Sequence, residues 1–273
     1  MDISNIAQCA LCGVERDGSS LPDLCPVCAD ERQYPPADGV QRWVDPAAFT
    51  GRIDVVEREP GLWGLNVSDG VGIGQQAKVV VTDAGTVMFD APAAITADAV
   101  DAVRALGPLK AIIPSHPHMF GLQSLWSSAL DDAPVCVSAA DKEWLGLRPE
   151  ALQLWDGVLE PVPGVVASQP GGHFPGSSVV HFAGADGAGT LLSSDTIFVN
   201  PDRRTASFMR SFPNRLPLSP TVVERIVAHV DRYAYERLYG NFDARIPADA
   251  KARVQESARR HIAWASGAHD DLT

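Results

Sequence analysis

Positive charge is scarce in this chain: 22 lysines and arginines stand against 34 aspartates and glutamates, a formal net charge of -12. A phosphate backbone needs a surplus of Lys and Arg, so no nucleic acid is expected as a main partner. Long apolar runs are missing as well. No stretch approaches the roughly 18 residues that suggest a membrane span. The opening MDISNIAQCALCG has neither the basic start nor the apolar middle of a secretion signal. The expectation is a cytoplasmic chain with no membrane partner. At 273 residues, 45% of them hydrophobic, it can bury enough apolar surface to fold without disulfides. Composition leaves a homo-oligomer open.

Cysteine is rare and unevenly spread. Cys9 and Cys12 in CALC and Cys25 and Cys28 in CPVC make up four of the five, and Cys136 stands alone in the strand-like APVCVSA. Each C-x-x-C can wrap one tight turn around a metal, and two knuckles give a tetrahedral thiolate site that suits structural zinc. Four unrelated thiols or two disulfides are the plainer alternatives. A rubredoxin-like iron site usually has a longer loop between its knuckles. Residues 1–33 are therefore expected to be a zinc-ribbon module. Residues 34–44, with a proline pair, a glycine and no apolar period, read as a linker, and residues 45–273 as the main domain.

In that domain, 62–68, 77–83 and 86–91 read as strands, with Asp83-Ala84-Gly85 a hairpin turn between the last two. Residues 96–107 read as a capped helix followed by the strand LKAIIPS. Two long helices close the chain, one with Ser219 as cap and Pro220 at its first position, the other running from PADAKARV to Gly267. Strands come first, with helices interleaved and then at the end, which suggests sheets with helices packed outside. Polar candidates sit where strands stop. His116 and His118 follow LKAIIPS, His173 lies in GGHFPG, and Asp195 ends TLLSSD. Loops at strand ends are where a rigid scaffold places reactive groups. Three imidazoles with an open fourth position are a standard catalytic zinc arrangement. Each histidine alone is more often an ordinary loop residue.

Taken in order, SHPHMFG, GGHFPGSSVVHF, LLSSDTIF and LYGNFD resemble the successive metal-motif loops of the metallo-β-lactamase fold. The segment IGQQAKVVVTDAGTVMFDAPAAI is similar to its opening strands, including Asp90. The four-cysteine segment and NPDRRTASFM resemble one subgroup of these hydrolase-like proteins, with no established substrate. The resemblance implies an α/β class, four-layer αββα sandwich with the metal site at one sheet edge, preceded by the small zinc ribbon. It makes His116, His118 and His173 the three-histidine set and Asp195 the aspartate that bridges two metals in dinuclear members. Departures from the H-x-H-x-D-H motif matter. Phe120 and Gly121 stand where Asp and His would, and Asn241 replaces the final histidine, which implies a one-metal centre.

The reading that follows is a zinc-dependent hydrolase of an ester, lactone, thioester or amide, with Asp195 as ligand or base. Its small-molecule substrate is expected to be anionic in part, held by Arg203, Arg204 and Arg210, with an apolar portion near Phe120 and Asn241. Two other readings use the same residues. His116, His173 and Asp195 form a two-histidine, one-carboxylate set that suits non-haem iron, as in persulfide dioxygenases of this fold. A non-catalytic scaffold with a protein-docking ribbon is the other.

Overall fold

The protein, described by a computed structural model over residues 5–68 and 70–273, is built on two facing sheets. The first has seven strands, in spatial order 152–155, 135–138, 109–113, 85–89, 76–82, 62–67 and 53–59. The second has six, in order 158–162, 165–168, 179–182, 190–192, 237–239 and 245–246. Helices Ala97–Ala105 and Gln123–Ala129 cover the outer face of the first sheet, and Pro220–Val230 and Ala250–Ala265 that of the second.

Three buried clusters fill the gaps between these four layers. Leu62, Val80, Val87 and Phe89 meet Val165, Val180 and Leu192 between the sheets. Val79, Met88 and Ile112 point the other way, toward Val100, Val103 and Trp126. Ile226, Val230 and Val254 pack on Leu191 and Leu238. The run Val79-Val80-Val81 serves two of these cores at once, because successive side chains of a strand face opposite sides. This is the four-layer αββα sandwich that the sequence motifs implied.

The second sheet was less legible. Strand Val158–Val162 carries Pro161, which a central strand would not tolerate, and it lies at the sheet edge, where the missing N–H costs nothing. Strand Ile53–Glu59 was hidden by its charges; it is the edge of the first sheet. Ser219 stands at the cap of Pro220–Val230 but makes no side-chain capping bond.

The cysteine segment folds onto the main sandwich. Ile6–Cys9 pairs with Glu15–Asp17 and with Trp43–Val44, so the end of the expected linker is a strand of the N-terminal sheet. All four thiols are buried in the cluster that contains Val79, Met88, Phe120 and Leu122. The Glu15 backbone N–H donates to the Gly121 carbonyl at 2.9 Å, and its carboxylate accepts the Ser124 N–H at the start of helix Gln123–Ala129. Among the described residues no helix is long and apolar enough to cross a membrane.

Candidate metal centres

At the four-cysteine cluster, Cys9 Sγ lies 3.7 Å from Cys28 Sγ and Cys12 Sγ 3.8 Å from Cys25 Sγ. Four sulfurs placed tetrahedrally about 2.3 Å from one ion are about 3.8 Å apart, whereas a disulfide would bring a pair to about 2.0 Å. The thiols are free, and their spacing fits a metal.

The second cluster gathers at one edge of the sandwich from three strand ends. Pro117 forces His116 into extended backbone, and Pro117–Met119 then turns tightly, so both imidazoles swing to the same side. Gly171 and Gly172 take φ of +68° and +107° just before His173, a path that a β-carbon at 172 would block by striking Ile226 at 2.7 Å. Ser194, at φ +49°, lifts Asp195 from the end of strand Thr190–Leu192.

Ligand atoms of His116, His118, His173 and Asp195 all lie within 4.8 Å of one another, and all four side chains are buried. His173 Nε2 is 3.2 Å from His118 Nδ1 and 3.9 Å from Asp195 Oδ2, and His116 Nε2 is 3.4 Å from Asp195 Oδ2. Tetrahedral nitrogen and oxygen ligands about 2.1 Å from one ion would be about 3.4 Å apart. Among the described residues His116 Nε2 is buried with no hydrogen-bond partner, as suits a ligand atom that faces a cation. Both clusters therefore fit a metal ion such as zinc.

The surroundings set the tautomers. His173 Nδ1–H donates to the Met209 carbonyl at 3.1 Å, leaving Nε2 bare. His116 Nδ1–H donates to Ser115 Oγ at 2.9 Å, Ser115 donates to Ser194 at 2.7 Å, and Ser194 donates to Asp90 at 3.4 Å. Such outer bonds orient the ring and raise its basicity toward a metal. Burial lowers the pKa of both His118 and His173, the latter to about 4, so both are neutral, as ligands must be. Burial would raise the Asp195 pKa, but its electrostatic interactions with the His116 and His173 rings and the nearby Asn241 amide outweigh that and leave it below the usual carboxylate value.

Positions 120, 121 and 241 complete no second cluster. Phe120 is 1% exposed and packs in the core under the first sheet rather than on the cleft. A β-carbon at Gly121 would collide with the Ala91 carbonyl oxygen. Asn241 is buried beside the cluster and donates to Met119 Sδ at 3.2 Å.

The cleft over the metal residues is a cavity of about 190 Å³, reached by His118 and Asp195 and walled by Ile73, Phe198, Phe212 and Phe242. None of Arg203, Arg204 and Arg210 lines it. Arg210 pairs with Glu31, Arg203 with Asp243, and Arg204 is exposed. The guanidinium that does line it is Arg32, stacked 3.7 Å from the Phe174 ring centre and paired with Asp30 at 2.6 Å. Gln33 and Tyr34 follow it onto the same wall. Sequence reasoning passed over these three, because ERQYPP reads only as polar chain between knuckle and linker. Their position directly after Cys28 was the one available signal.

Comparison with solved structures places this architecture. The chain matches VMB-1 with a TM-score of 0.60 and 12% identity over 80% of this chain and 100% of that one. It matches the mono-zinc form of the metallo-β-lactamase FIM-1 from Pseudomonas aeruginosa with a TM-score of 0.57 and 12% identity, over 76% of this chain and 95% of that one. The fold is thus that of the metallo-β-lactamases, here with an N-terminal four-cysteine module. No protein-family model matches the chain. It is 34% identical over 261 residues to the uncharacterized protein YmaE of Bacillus subtilis (strain 168), covering 93% of this chain and 94% of that protein. The chain belongs to the same family as YmaE.

Proposed function

We propose that the protein is a single-metal hydrolase, with zinc held by His116, His118, His173 and Asp195, acting on a small ester, lactone, thioester or amide. The observation that carries this reading is the convergence of four buried ligand atoms at tetrahedral spacing, beside a second position that Phe120 and the Gly121 backbone leave without ligands. Zinc so held supplies Lewis acidity, polarising a carbonyl and acidifying water.

The chain's own groups supply the rest. Asp195 turns Oδ2 toward His116 and His173, in position to accept a proton from an attacking water. Phe198, Phe212 and Phe242 exclude water and receive an apolar acyl or alkyl portion. The cavity is below the usual range for drug-sized ligands, roughly 300 Å³ upward, which favours a compact reacting group. His118, directed at the same centre as His173, favours this reading over the iron site of two histidines and one carboxylate. The structural role of the zinc held by the four cysteines belongs to the same proposal. So do the cytoplasmic location and the division of the chain at 33 and 44.

The test is hydrolysis of 4-nitrophenyl esters and simple lactones by protein purified without chelators. Activity that disappears in His116→Ala, together with one histidine-held metal per chain, supports the reading. Equal activity in His116→Ala and the parent would overturn it.

A further inference from the structure

Beside the metal cleft, and sharing Phe242 with it, lies a second cavity of about 290 Å³. Arg58, Lys78, Arg203 and Arg245 line it against only two carboxylates, Glu57 and Asp243. That is a local surplus of positive charge in a chain whose net charge is -12. From this cavity we infer an oxyanion subsite, which binds a carboxylate or phosphate group of a small molecule through Lys78, Arg58 and Arg245.

Lys78 is the anchor. Register pairs it with Gly64 on one side and Phe89 on the other, so it shares a face with Val80 and enters the gap between the sheets. It is 2% exposed, yet among the described residues its ammonium finds only the Gln76 carbonyl at 3.3 Å and the Gln76 side-chain oxygen at 3.4 Å. A buried cation held only by neutral oxygens is poorly compensated. Burial pushes its pKa down to about 7, and Asp90 and Asp243 oppose that only in part, while Arg58 adds to it.

Arg58 is next to it. Its Nη atoms are engaged by Asn66 at 2.8 Å and Asp243 at 3.2 Å, but among the described residues its buried Nε has no partner. Gly64 makes the place for it, since a β-carbon there would meet that Nε at 2.7 Å. Arg245 donates to the Tyr239 hydroxyl at 2.9 Å and the Arg58 carbonyl at 3.1 Å. Among the described residues neither Lys78 nor Arg245 has a carboxylate partner, because the nearby Glu59 is taken by Arg237, Tyr239 and Thr190. Two guanidinium groups and an ammonium around one polar cavity match the charge and donor geometry of an oxyanion.

The two cavities are neighbours. Asn241 accepts the Gln76 N–H at 2.7 Å through its carbonyl, and Phe242 forms part of both linings. A substrate with its reacting carbonyl in the metal cleft would lay its apolar part along Phe242 and place a terminal anion here. That assignment to the substrate rests on the hydrolase reading, whereas the subsite itself does not.

Titration calorimetry with inorganic phosphate and with succinate decides the subsite. It is run on His116→Ala protein, so that anion binding to the metal centre does not contribute. One-to-one binding of either anion, weakened about tenfold or more by Arg245→Gln and by Lys78→Met, is the expected result. Absence of binding by both anions, or binding unchanged in Arg245→Gln, would overturn it. Arg245→Gln decides alone if Lys78→Met does not fold. For the substrate assignment, Arg245→Gln in the metal-loaded protein should raise KM for the 4-nitrophenyl monoester of succinic acid and leave KM for neutral 4-nitrophenyl butyrate unchanged. Equal shifts for both esters would remove it. Hydrolysis of neither ester would sink the hydrolase reading instead, with the calorimetry still deciding the subsite.

Discussion

Position 121 shows how a single residue can close a binding site. A histidine there would need a β-carbon where the Ala91 carbonyl oxygen stands, and a backbone at φ +49° that disfavours any side chain but glycine's. The Gly121 carbonyl is already committed to the Glu15 N–H. Gly121→His is therefore expected to lose on the order of 3 kcal/mol of stability or more in urea unfolding and to bind no additional metal. A stable variant with an extra metal would contradict this. The motif comparison exposed the substitution at 121 because a missing imidazole is visible in letters. It could not show that the Ala91 carbonyl oxygen occupies the space a side chain there would need. In the same way His116, His118, His173 and Asp195 were readable from their strand-end positions. Arg32 was not, because its role comes from stacking on Phe174, 142 residues later in the chain.

Among elements, the cysteine segment has the widest influence. Its knuckles lie in the same core as Val79, Met88 and Phe120, and its continuation, residues 30–34, supplies Arg32, Gln33 and Tyr34 to the wall of the metal cleft. That stretch is held from three directions: by Arg210 on Glu31, by Ser211 on the Glu31 carbonyl at 2.6 Å, and by Arg32 on Phe174. Cys28→Ser should thus cost one metal and also lower Tm by about 10 °C or more, since the metal's binding energy would be part of folding. A thermal scan showing an unchanged Tm would indicate a module that folds separately. The C-x-x-C pairs announced a cluster that fits a metal, but nothing in their spacing told where the module docks. Docking depends on Gln8, Gly13 and Glu15 meeting Ala93, Gly72 and Ser124.

Glu15 gives that junction a pH dependence. Burial pushes its carboxyl up to about 8, against the N–H and O–H donors of Ser124 and the N–H of Leu125 that favour the ionised form. An unfolded glutamate titrates near 4.5, so between about 4.5 and 8 the folded chain keeps a proton the unfolded chain has released. Its contribution to stability is complete below the lower value and is lost as pH rises through the upper one. In Glu15→Gln that loss is absent. Differential scanning calorimetry from about pH 5 to about pH 8.5 should show Tm falling more steeply in the parent than in the variant. Parallel curves would show that Glu15 does not carry the effect.

For the molecule as a whole, alternation and helix signals revealed the central strands of the first sheet and its helices, while its edges and, through Pro161 and short strands such as Arg237–Tyr239, part of the second sheet were concealed. The layers nevertheless bring three distant loops to one edge, and there the metal residues, the aromatic cleft and the basic cavity lie side by side. One thiolate-held metal and one histidine-held metal per chain are expected. Native mass spectrometry with elemental analysis, on protein purified without chelators or a metal-binding tag, tests this most directly. Two metals per chain are expected, falling to one in His116→Ala while the thiolate-held metal stays. One metal in the parent, or three, would contradict this.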